Sequence, residues 1–204
     1  DACLQAMYAM RRFGIKLGLE KTRSLLSLGG DPQERVPLVH VGGTNGKGSV
    51  VAMLESMCRA AGYSVGRFTS PHLIRVNERF LIDGAPIPDD ELDAIVEKFR
   101  GLAGDLPNPP TFFEMNAAIA FEFFARRDVD LALVEVGMGG RFDATNVITP
   151  VAACITNIDL EHTQYLGDTL EKIAFEKAGI IKEGVPLVLG ETRPAPRGVI
   201  LDRA

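Results

Sequence analysis

A glycine-rich loop between an apolar run and a helical pattern constrains the fold of this chain more than any other feature. Residues 36–43 read VPLVHVGG, a short apolar run typical of a buried strand, and the segment TNGKGS follows directly. From residue 47 to residue 61 apolar side chains recur at helical spacing, and Gly62 closes the pattern. A strand, a glycine loop and a helix in this order form a unit that binds phosphate groups in many α/β proteins.

The same alternation continues along the chain. Further strands are predicted by apolar runs at residues 63–69, 129–137, 150–158 and 185–190. Helical patterns lie at residues 90–102, 112–125 and 170–181. Residues 77–87, NERFLIDGAPI, have the alternation and the Asp-Gly turn of a small β-hairpin insertion. Strands that alternate with helices indicate an α/β fold, a mostly parallel β-sheet flanked by helices.

Length and composition predict one domain that binds small molecules. We place the domain at residues 1–190 and expect residues 191–204, rich in Pro and Arg, to be a linker. The chain has 22 Lys plus Arg against 27 Asp plus Glu, and no basic block suits nucleic acid or a membrane surface. Cys3, Cys58 and Cys154 lie far apart in apolar segments, which indicates buried, reduced thiols. We therefore expect a cytoplasmic protein, a monomer that binds neither nucleic acid nor a membrane.

The loop departs from the common P-loop at one position. In the pattern G-x-x-x-x-G-K-[ST], a hydroxyl residue follows the lysine and ligates Mg²⁺. Here Gly48 follows Lys47, and Ser49 comes one residue late. Backbone N–H groups can still approach phosphate oxygens, and Lys47 adds a cation. We predict a nucleotide-binding loop made of Thr44, Asn45, Gly46, Lys47, Gly48 and Ser49.

Polar residues at the carboxyl ends of two other predicted strands could supply the metal ligand that Gly48 cannot. Ser70 in TSPH follows the second strand, although it could merely cap a turn. Glu135 lies in the otherwise apolar run LALVEVGMGG, where a carboxylate is costly unless it is paired or bound to a metal. Its partner could be a metal ion or Arg141.

Two further residues are ambiguous from their surroundings alone. His162, with Asp159 three residues earlier, follows the strand at 150–158 and suits either a divalent cation or a structural role. Lys177 lies beside Glu176 on a predicted helix, which is the ordinary position of a solvated lysine.

Six motifs, taken together, resemble the folylpolyglutamate synthase and dihydrofolate synthase family within the Mur ligase group. They are GTNGKGS, TSPHL, TFFE, EVGMGGRFDATN, DLEHTQYLGDT and EKAGI, in the family's order. The resemblance covers nearly the whole chain. It implies the P-loop fold of the central Mur ligase domain.

The resemblance also implies ATP and two magnesium ions as cofactors. Ser70 and Glu135 match ligands of the first magnesium, which bridges to ATP, and His162 matches a ligand of the second. Lys177 matches a lysine that CO₂ converts into a carbamate, which helps to organise the second metal. On this interpretation Lys47, His162 and Lys177 are the catalytic residues.

A pterin-bearing acceptor, either dihydropteroate or a folate, is the implied substrate together with L-glutamate. The matching acceptor-binding residues are Lys16, Leu17, Gly18, Thr111, Phe112, Phe113, Glu114, Phe142, Asp143 and Ala144. Adjacent aromatic rings supply stacking faces, and carboxylates accept hydrogen bonds from an aminopterin edge. Phe112 and Phe113 could instead pack in the core at the start of an apolar helix.

The implied activity is ATP-dependent addition of L-glutamate to the acceptor through an acyl phosphate. Family members carry a C-terminal domain that we expect beyond Ala204, so turnover by these 204 residues alone is in question. Three alternatives remain open: a Mur-type ligase acting on a cell-wall precursor, a nucleotide-dependent switch, and a module that binds ATP and pterin without turnover. Gly48 disfavours the first, because those enzymes usually have Thr at this position.

Overall fold

The computed structural model describes residues 18–104 and 106–204. Lys16 and Leu17, which we predicted to bind the acceptor, and Cys3 lie outside the described residues. The described strands are β1 Leu38–Gly42, β2 Val65–Phe68, β3 Phe80–Ile82, β4 Ala85–Pro86, β5 Leu131–Glu135, β6 Ala152–Ile155 and β7 Leu187–Leu189. The described helices are α1 Glu20–Leu28, α2 Lys47–Ala60, α3 Asp89–Ala103, α4 Phe112–Arg126, α5 Thr163–Leu166, α6 Leu170–Ala178 and α7 Pro194–Leu201.

These strands form one seven-stranded sheet in the order β4-β3-β2-β5-β1-β6-β7. The five strands from β2 to β7 in this order are parallel. Strand β3 pairs antiparallel with β2, and β4 pairs antiparallel with β3. The predicted α/β fold with a mostly parallel sheet is therefore confirmed. Strand β1 lies between β5 and β6, so the glycine loop that follows it leaves the interior of the sheet.

The two faces of β1 pack against different layers because side chains alternate along a strand. Val39 and Val41 contact Val51 of α2 and the neighbouring apolar residues on that face. Leu38 belongs to the larger core on the opposite face, which also contains residues of α1, α3 and α4. The sheet is therefore covered by helices on both faces, which explains the continuous apolar runs of its central strands.

Helix α4 is apolar on nearly every side because it lies inside the larger core. Its start is fixed by a capping box in which the Thr111 hydroxyl accepts a hydrogen bond from the Glu114 N–H at 3.3 Å. In return, the Glu114 carboxylate accepts from the Thr111 N–H at 2.7 Å. Both residues were predicted to bind the acceptor, and both also determine where α4 begins.

The predicted hairpin is present and extends the edge of the main sheet. Asp83 and Gly84 have φ angles of 52° and 81°, the left-handed pair that a tight two-residue turn requires. Strand β3 pairs with β2, so the hairpin belongs to the same sheet as the glycine loop.

Several boundaries differ from the predictions. Helix α6 ends at Ala178, three residues early, and Gly179 then packs so closely on Arg141 that a Cβ would lie 2.4 Å from the Arg141 Cα atom. Cys58 and Cys154 are free thiols, as predicted, but they are only half-buried because they flank the cluster beneath α2. None of the described helices is long and apolar enough to cross a membrane.

The segment 191–204, which we expected to be a linker, contains helix α7. Pro194 occupies the first helical position, where its missing N–H leaves no hydrogen bond unmade. Ile200 is fully buried in the cluster that includes Ile173 of α6. The carboxylate of Glu191 accepts hydrogen bonds from the Ile158 and Arg193 N–H groups, both at 2.8 Å. The segment is thus packed on the domain, and its role as a connection to further residues stays a prediction.

Candidate functional site

The carboxyl ends of β1, β2, β5 and β6 meet at one edge of the sheet because these four strands are parallel neighbours. Glu135 is the last residue of β5, and Lys47, Ser70 and His162 follow the ends of β1, β2 and β6. Such an edge is where open α/β sheets bind their ligands.

The glycine loop is fixed by hydrogen bonds to residues that follow β6. The Asn157 side chain accepts a hydrogen bond from the Asn45 N–H at 2.8 Å, and the Thr156 hydroxyl donates to the Asn45 carbonyl at 2.8 Å. Gly43 has a φ angle of 125°, and a Cβ there would lie 1.9 Å from the Thr156 hydroxyl oxygen. Only glycine fits at this position. The Thr44 hydroxyl accepts from the Asp159 N–H at 3.0 Å, so this predicted nucleotide-binding group also braces the loop.

Two lysine side chains share one carbonyl of this loop. The Lys47 Nζ atom donates to the carbonyl oxygens of Gly43 and Thr44, each at 3.0 Å. The Lys177 Nζ atom donates to the same Gly43 oxygen at 2.8 Å. The two cations therefore converge on the entrance of α2, where an anion would be attracted.

Lys177 is buried, with 1% of its side chain exposed, so its interpretation as a solvated lysine is wrong. Its ammonium forms an ion pair with the Glu161 carboxylate at 2.5 Å. Burial lowers the pKa of Lys177, and Glu161 opposes that shift. The sequence held a signal for this, because Lys177 follows Ile173 and Ala174 at helical spacing on the buried face of α6.

Ser70 and Glu135 meet across the neighbouring ends of β2 and β5. The Glu135 carboxylate accepts a hydrogen bond from the Ser70 N–H at 3.0 Å, and the residue is only 5% exposed. Burial raises the pKa of Glu135, and the Ser70 N–H and the Lys47 charge oppose the shift. Arg141 is not its partner, because the Arg141 guanidinium pairs with Glu176 at 2.7 Å.

Gly48 leaves the space between the loop and Glu135 free of a side chain. A Cβ at this position would lie 3.8 Å and 3.9 Å from the two carboxylate oxygens of Glu135. The position at which the common P-loop has its metal-binding hydroxyl therefore faces the carboxylate directly. In this chain Ser70, which follows the adjacent strand β2, contacts the same carboxylate through its backbone N–H.

A cavity of about 440 Å³ opens next to Ser70. It brings together most of the predicted acceptor-binding residues, which are Gly18, Thr111, Phe113, Glu114, Phe142, Asp143 and Ala144. His162 also lines it. Phe112 does not line it, and its ring lies 5.3 Å from the Arg79 guanidinium. Thr22 and Arg79, which lie outside the six motifs, line the cavity as well. Met138 and Tyr165 also line it, from motifs in which they had been given no role.

Phe113 and the strand end at Gly137 fit together closely. A Cβ on Gly137 would lie 2.2 Å from the Phe113 ring, so glycine is required for the ring to lie over the end of β5. The Phe113 ring also packs against Phe68, with the ring centroids 6.0 Å apart. The Phe113 ring therefore packs on the core and also lines the cavity, and its role in binding the acceptor stays a prediction.

Asp143 lies in the wall of the cavity, but its carboxylate faces its own loop. It accepts hydrogen bonds from the Met138 N–H at 2.9 Å, the Thr145 N–H at 3.0 Å and the Thr145 hydroxyl at 2.5 Å. Burial raises the pKa of Asp143, and these donors oppose the shift. The side chain therefore fixes the loop between residues 137 and 145.

The family model of the Mur ligase middle domain matches residues 41–187. The chain belongs to this family. The matched range runs from β1 to β7 and contains the glycine loop, Ser70, Glu135, His162 and Lys177.

Individual relatives narrow the family to the branch that the motifs had indicated. The dihydrofolate synthase/folylpolyglutamate synthase of Bacillus subtilis is 46% identical over 198 residues, covering 95% of this chain and 46% of that protein. The folylpolyglutamate synthase of Lacticaseibacillus casei is 42% identical over 182 residues, covering 87% of this chain and 42% of that protein. The predicted resemblance is confirmed. This chain spans about half the length of the curated relatives it matches.

Solved structures of the same branch share the fold closely. A folylpolyglutamate synthase complex with AMPPCP and folate has a TM-score of 0.95 at 38% identity, covering 99% of this chain and 50% of that one. The Escherichia coli FolC complex with DHPP and ADP has a TM-score of 0.92 at 36% identity, covering 100% of this chain and 48% of that one.

Proposed function

We propose that this protein, as part of a longer enzyme, is an ATP-dependent ligase that adds L-glutamate to the carboxylate of dihydropteroate or a folate. One observation carries the proposal. The Ser70–Glu135 contact lies between the glycine loop and the 440 Å³ cavity, so a nucleotide phosphate and an acceptor carboxylate could meet there. The names of the relatives supply the substrate class.

The cavity suits a flat, partly polar acceptor. The rings of Phe113 and Phe142 offer apolar faces, and Glu114 offers carboxylate oxygens to an aminopterin edge. The Asp143 carboxylate already accepts three hydrogen bonds from its own loop. We therefore propose that it mainly shapes the cavity wall and contributes less to direct binding of the acceptor.

The residues beside the loop fit magnesium. Mg²⁺ binds one or two protein oxygens and keeps water and substrate phosphates as its remaining ligands. Glu135 and Ser70 would provide these oxygens, and His162 would hold a second ion. Among the described residues, no group of three His, Cys, Asp or Glu side chains could hold a metal ion. When bound, the ions would offset the charge of two approaching anions.

Lys177 is suited to carry a carbamate. A carbamate forms when a neutral amine attacks CO₂ and releases one proton, and burial lowers the pKa of this amine. Its present contacts, the Gly43 carbonyl and the Glu161 carboxylate, place it between the glycine loop and the loop of His162. A carbamate there would present carboxylate oxygens towards the second metal ion.

The proposed reaction needs no protein nucleophile. The acceptor carboxylate attacks the γ-phosphorus of ATP, and ADP leaves to give an acyl phosphate. The amine of L-glutamate then attacks the acyl carbon, phosphate leaves, and the amine proton is released to solvent. Lys47 would exchange its two loop carbonyls for phosphate oxygens, and the protein would otherwise act by positioning.

The deciding experiment measures phosphate release by the full-length protein with ATP, Mg²⁺ and L-glutamate. Dihydropteroate, a reduced folate and a muramoyl precursor are offered in turn as acceptors. We expect release only when both L-glutamate and a pterin acceptor are present. Release with the muramoyl precursor would favour a cell-wall ligase, and release indifferent to every acceptor would favour a nucleotide switch. We further expect the enzyme to be a cytoplasmic monomer.

A further inference from the structure

His40 is a polar side chain enclosed in the centre of the sheet. It lies on β1, paired in register with Val134 of β5 and Ala153 of β6, and it is 0% exposed. Its face of the strand is the face of Leu38, which belongs to the apolar core. Burial lowers the pKa of His40 to about 3, so the imidazole is neutral at physiological pH.

The hydrogen bonds of His40 lead towards the cavity. Its Nε2 atom lies 2.8 Å from the Thr145 hydroxyl oxygen, and that hydroxyl lies 2.5 Å from the Asp143 carboxylate. A hydroxyl has one proton to donate. Asp143 accepts backbone N–H bonds on both of its oxygens, so it is an acceptor, and the Thr145 proton points to it. The Thr145 oxygen must then accept from a proton on His40 Nε2.

The other end of this chain of hydrogen bonds is the wall of the cavity. Asp143 holds Met138 at one end of its loop and Thr145 at the other, and Phe142 is carried between them. Met138, Phe142 and Asp143 all line the cavity. A fixed Asp143 carboxylate therefore fixes the place of the Phe142 ring.

We infer that His40 is a positioning residue for the acceptor, acting through the Thr145 hydroxyl and the Asp143 carboxylate to hold the cavity wall at residues 137–145. This inference rests on the proposed function, because it assigns the acceptor to the cavity. His40 itself does not touch the cavity. An apolar residue would pack at this site without a desolvation cost, whereas His40 leaves its Nδ1 atom without a hydrogen-bond partner among the described residues. The Nε2–H donor is the property that an apolar residue lacks.

The test compares four single variants of the full-length enzyme and the double variant His40→Leu/Thr145→Val. His40→Leu removes the donor, and His40→Gln keeps an amide donor at a similar reach. Thr145→Val removes the middle of the relay. Leu38→Ala is the matched control, because Leu38 is buried on the same strand and the same face but is apolar. For each variant, KM for the pterin acceptor, KM for ATP, kcat and the melting temperature are measured.

We expect His40→Leu and Thr145→Val each to raise KM for the acceptor about tenfold, the size of one lost buried hydrogen bond, with KM for ATP nearly unchanged. The double variant should be no worse than either single variant, because both changes break the same relay. His40→Gln should recover most of the loss. Leu38→Ala should lower the melting temperature without changing KM for the acceptor.

Three outcomes would each overturn the inference. They are an unchanged KM for the acceptor in His40→Leu, additive effects on that KM in the double variant, and an equal rise of that KM in Leu38→Ala.

A second measurement separates this inference from the proposed function. Long-range ¹H–¹⁵N NMR spectra of the histidine-labelled enzyme report which ring nitrogen carries the proton. We expect the Nε2–H form of His40, and a changed Nε2 signal in Thr145→Val. An Nδ1–H form would overturn the relay even if the enzyme uses a pterin acceptor. If the wild-type enzyme ignores all acceptors, the proposed function fails while the tautomer still reports on the relay.

Discussion

Ser70 and Glu135 carry the magnesium assignment, and each can be removed separately. Ser70→Ala and Glu135→Gln should each weaken the apparent affinity for Mg²⁺ in the full-length enzyme by roughly 10–100-fold while leaving the fold intact. The measurement is initial rate against Mg²⁺ concentration at saturating ATP. Ser64→Ala is the control, because Ser64 precedes β2 and hydrogen-bonds Asp83, away from the cavity. Wild-type Mg²⁺ dependence in both variants would contradict the assignment.

The raised pKa of Glu135 predicts that Glu135→Gln, although it weakens Mg²⁺ binding, makes the folded protein more stable. Burial raises this pKa above its unfolded value, so the folded protein binds a proton more readily than the unfolded chain. Ionisation of Glu135 therefore costs stability, and the cost increases as the pH rises through the raised pKa. Glu135→Gln should increase the free energy of unfolding at neutral pH, and the gain should shrink as the pH falls towards 4. Denaturant titrations at several pH values measure this, and a variant less stable than wild type at pH 7 would contradict it.

Lys177 is predicted to act as a carbamate. Lys177→Ala should abolish most of the activity, and added acetate or formate should restore part of it by supplying the missing carboxylate. Lys172→Ala is the control on the same helix, because Lys172 is exposed and pairs only with Asp168 among its described partners. Full activity of Lys177→Ala, or a loss that no carboxylate relieves, would remove the carbamate from the mechanism.

The sequence predicted the types of these residues better than their contacts. Glu135 was identified because a carboxylate in an apolar run needs a partner, and the structure gives it the Ser70 N–H in place of Arg141. Arg79 was missed because it lies in the predicted hairpin at residues 77–87, outside the six motifs, and only the fold brings it to the cavity. Contacts between residues far apart in the chain depend on strand order, which local patterns do not contain.

At the scale of elements, the packing of helix α6 against the loop after β5 sets the position of Lys177. A Cβ on Gly140 would lie 2.9 Å from the carbonyl oxygens of Glu176 and Lys177, which are backbone atoms and cannot rotate away. Gly140→Ala should therefore push α6 from the loop and lower both stability and activity, with a loss of roughly 1–3 kcal/mol in the free energy of unfolding.

A matched glycine provides the control for this prediction. Gly101 lies inside α3, and a Cβ there would meet nothing within 4 Å. Gly101→Ala should stabilise the protein by about 0.5–1 kcal/mol, because alanine loses less conformational entropy in a helix. Thermal or denaturant unfolding of the two variants measures both effects. Equal behaviour of Gly140→Ala and Gly101→Ala would show that the contact with α6 is unimportant.

Most element types and positions followed from periodicity and turn residues. The Asp83-Gly84 turn and the start of α2 after the glycine loop were predicted correctly. The end of α6 was placed three residues too late, because Gly179, which caps the helix and packs closely on Arg141, was taken as part of the helix. The helix at 194–201 was missed because two prolines and an arginine-rich composition resemble a linker.

At the scale of the whole molecule, the domain contains the 440 Å³ cavity and the glycine loop but spans about half the length of its relatives. We predict that the isolated 204-residue chain binds a non-hydrolysable ATP analogue and a pterin acceptor, as measured by calorimetry, but does not turn over. The full-length protein should do both. Turnover by the isolated chain at the full-length rate would show that no further residues are needed. Failure to bind either ligand would place part of their sites outside this domain.

The hydrogen bond from Lys177 to the Gly43 carbonyl joins residues 134 positions apart. During synthesis the glycine loop therefore emerges long before the lysine that completes its surroundings. Contacts of such high sequence separation form late in folding, because the entropy of closing the intervening chain is lost before they can stabilise it. A nascent chain that ends before α6 lacks this contact. A ligand whose binding depends on the contact therefore binds only chains in which the domain has been fully synthesised and folded.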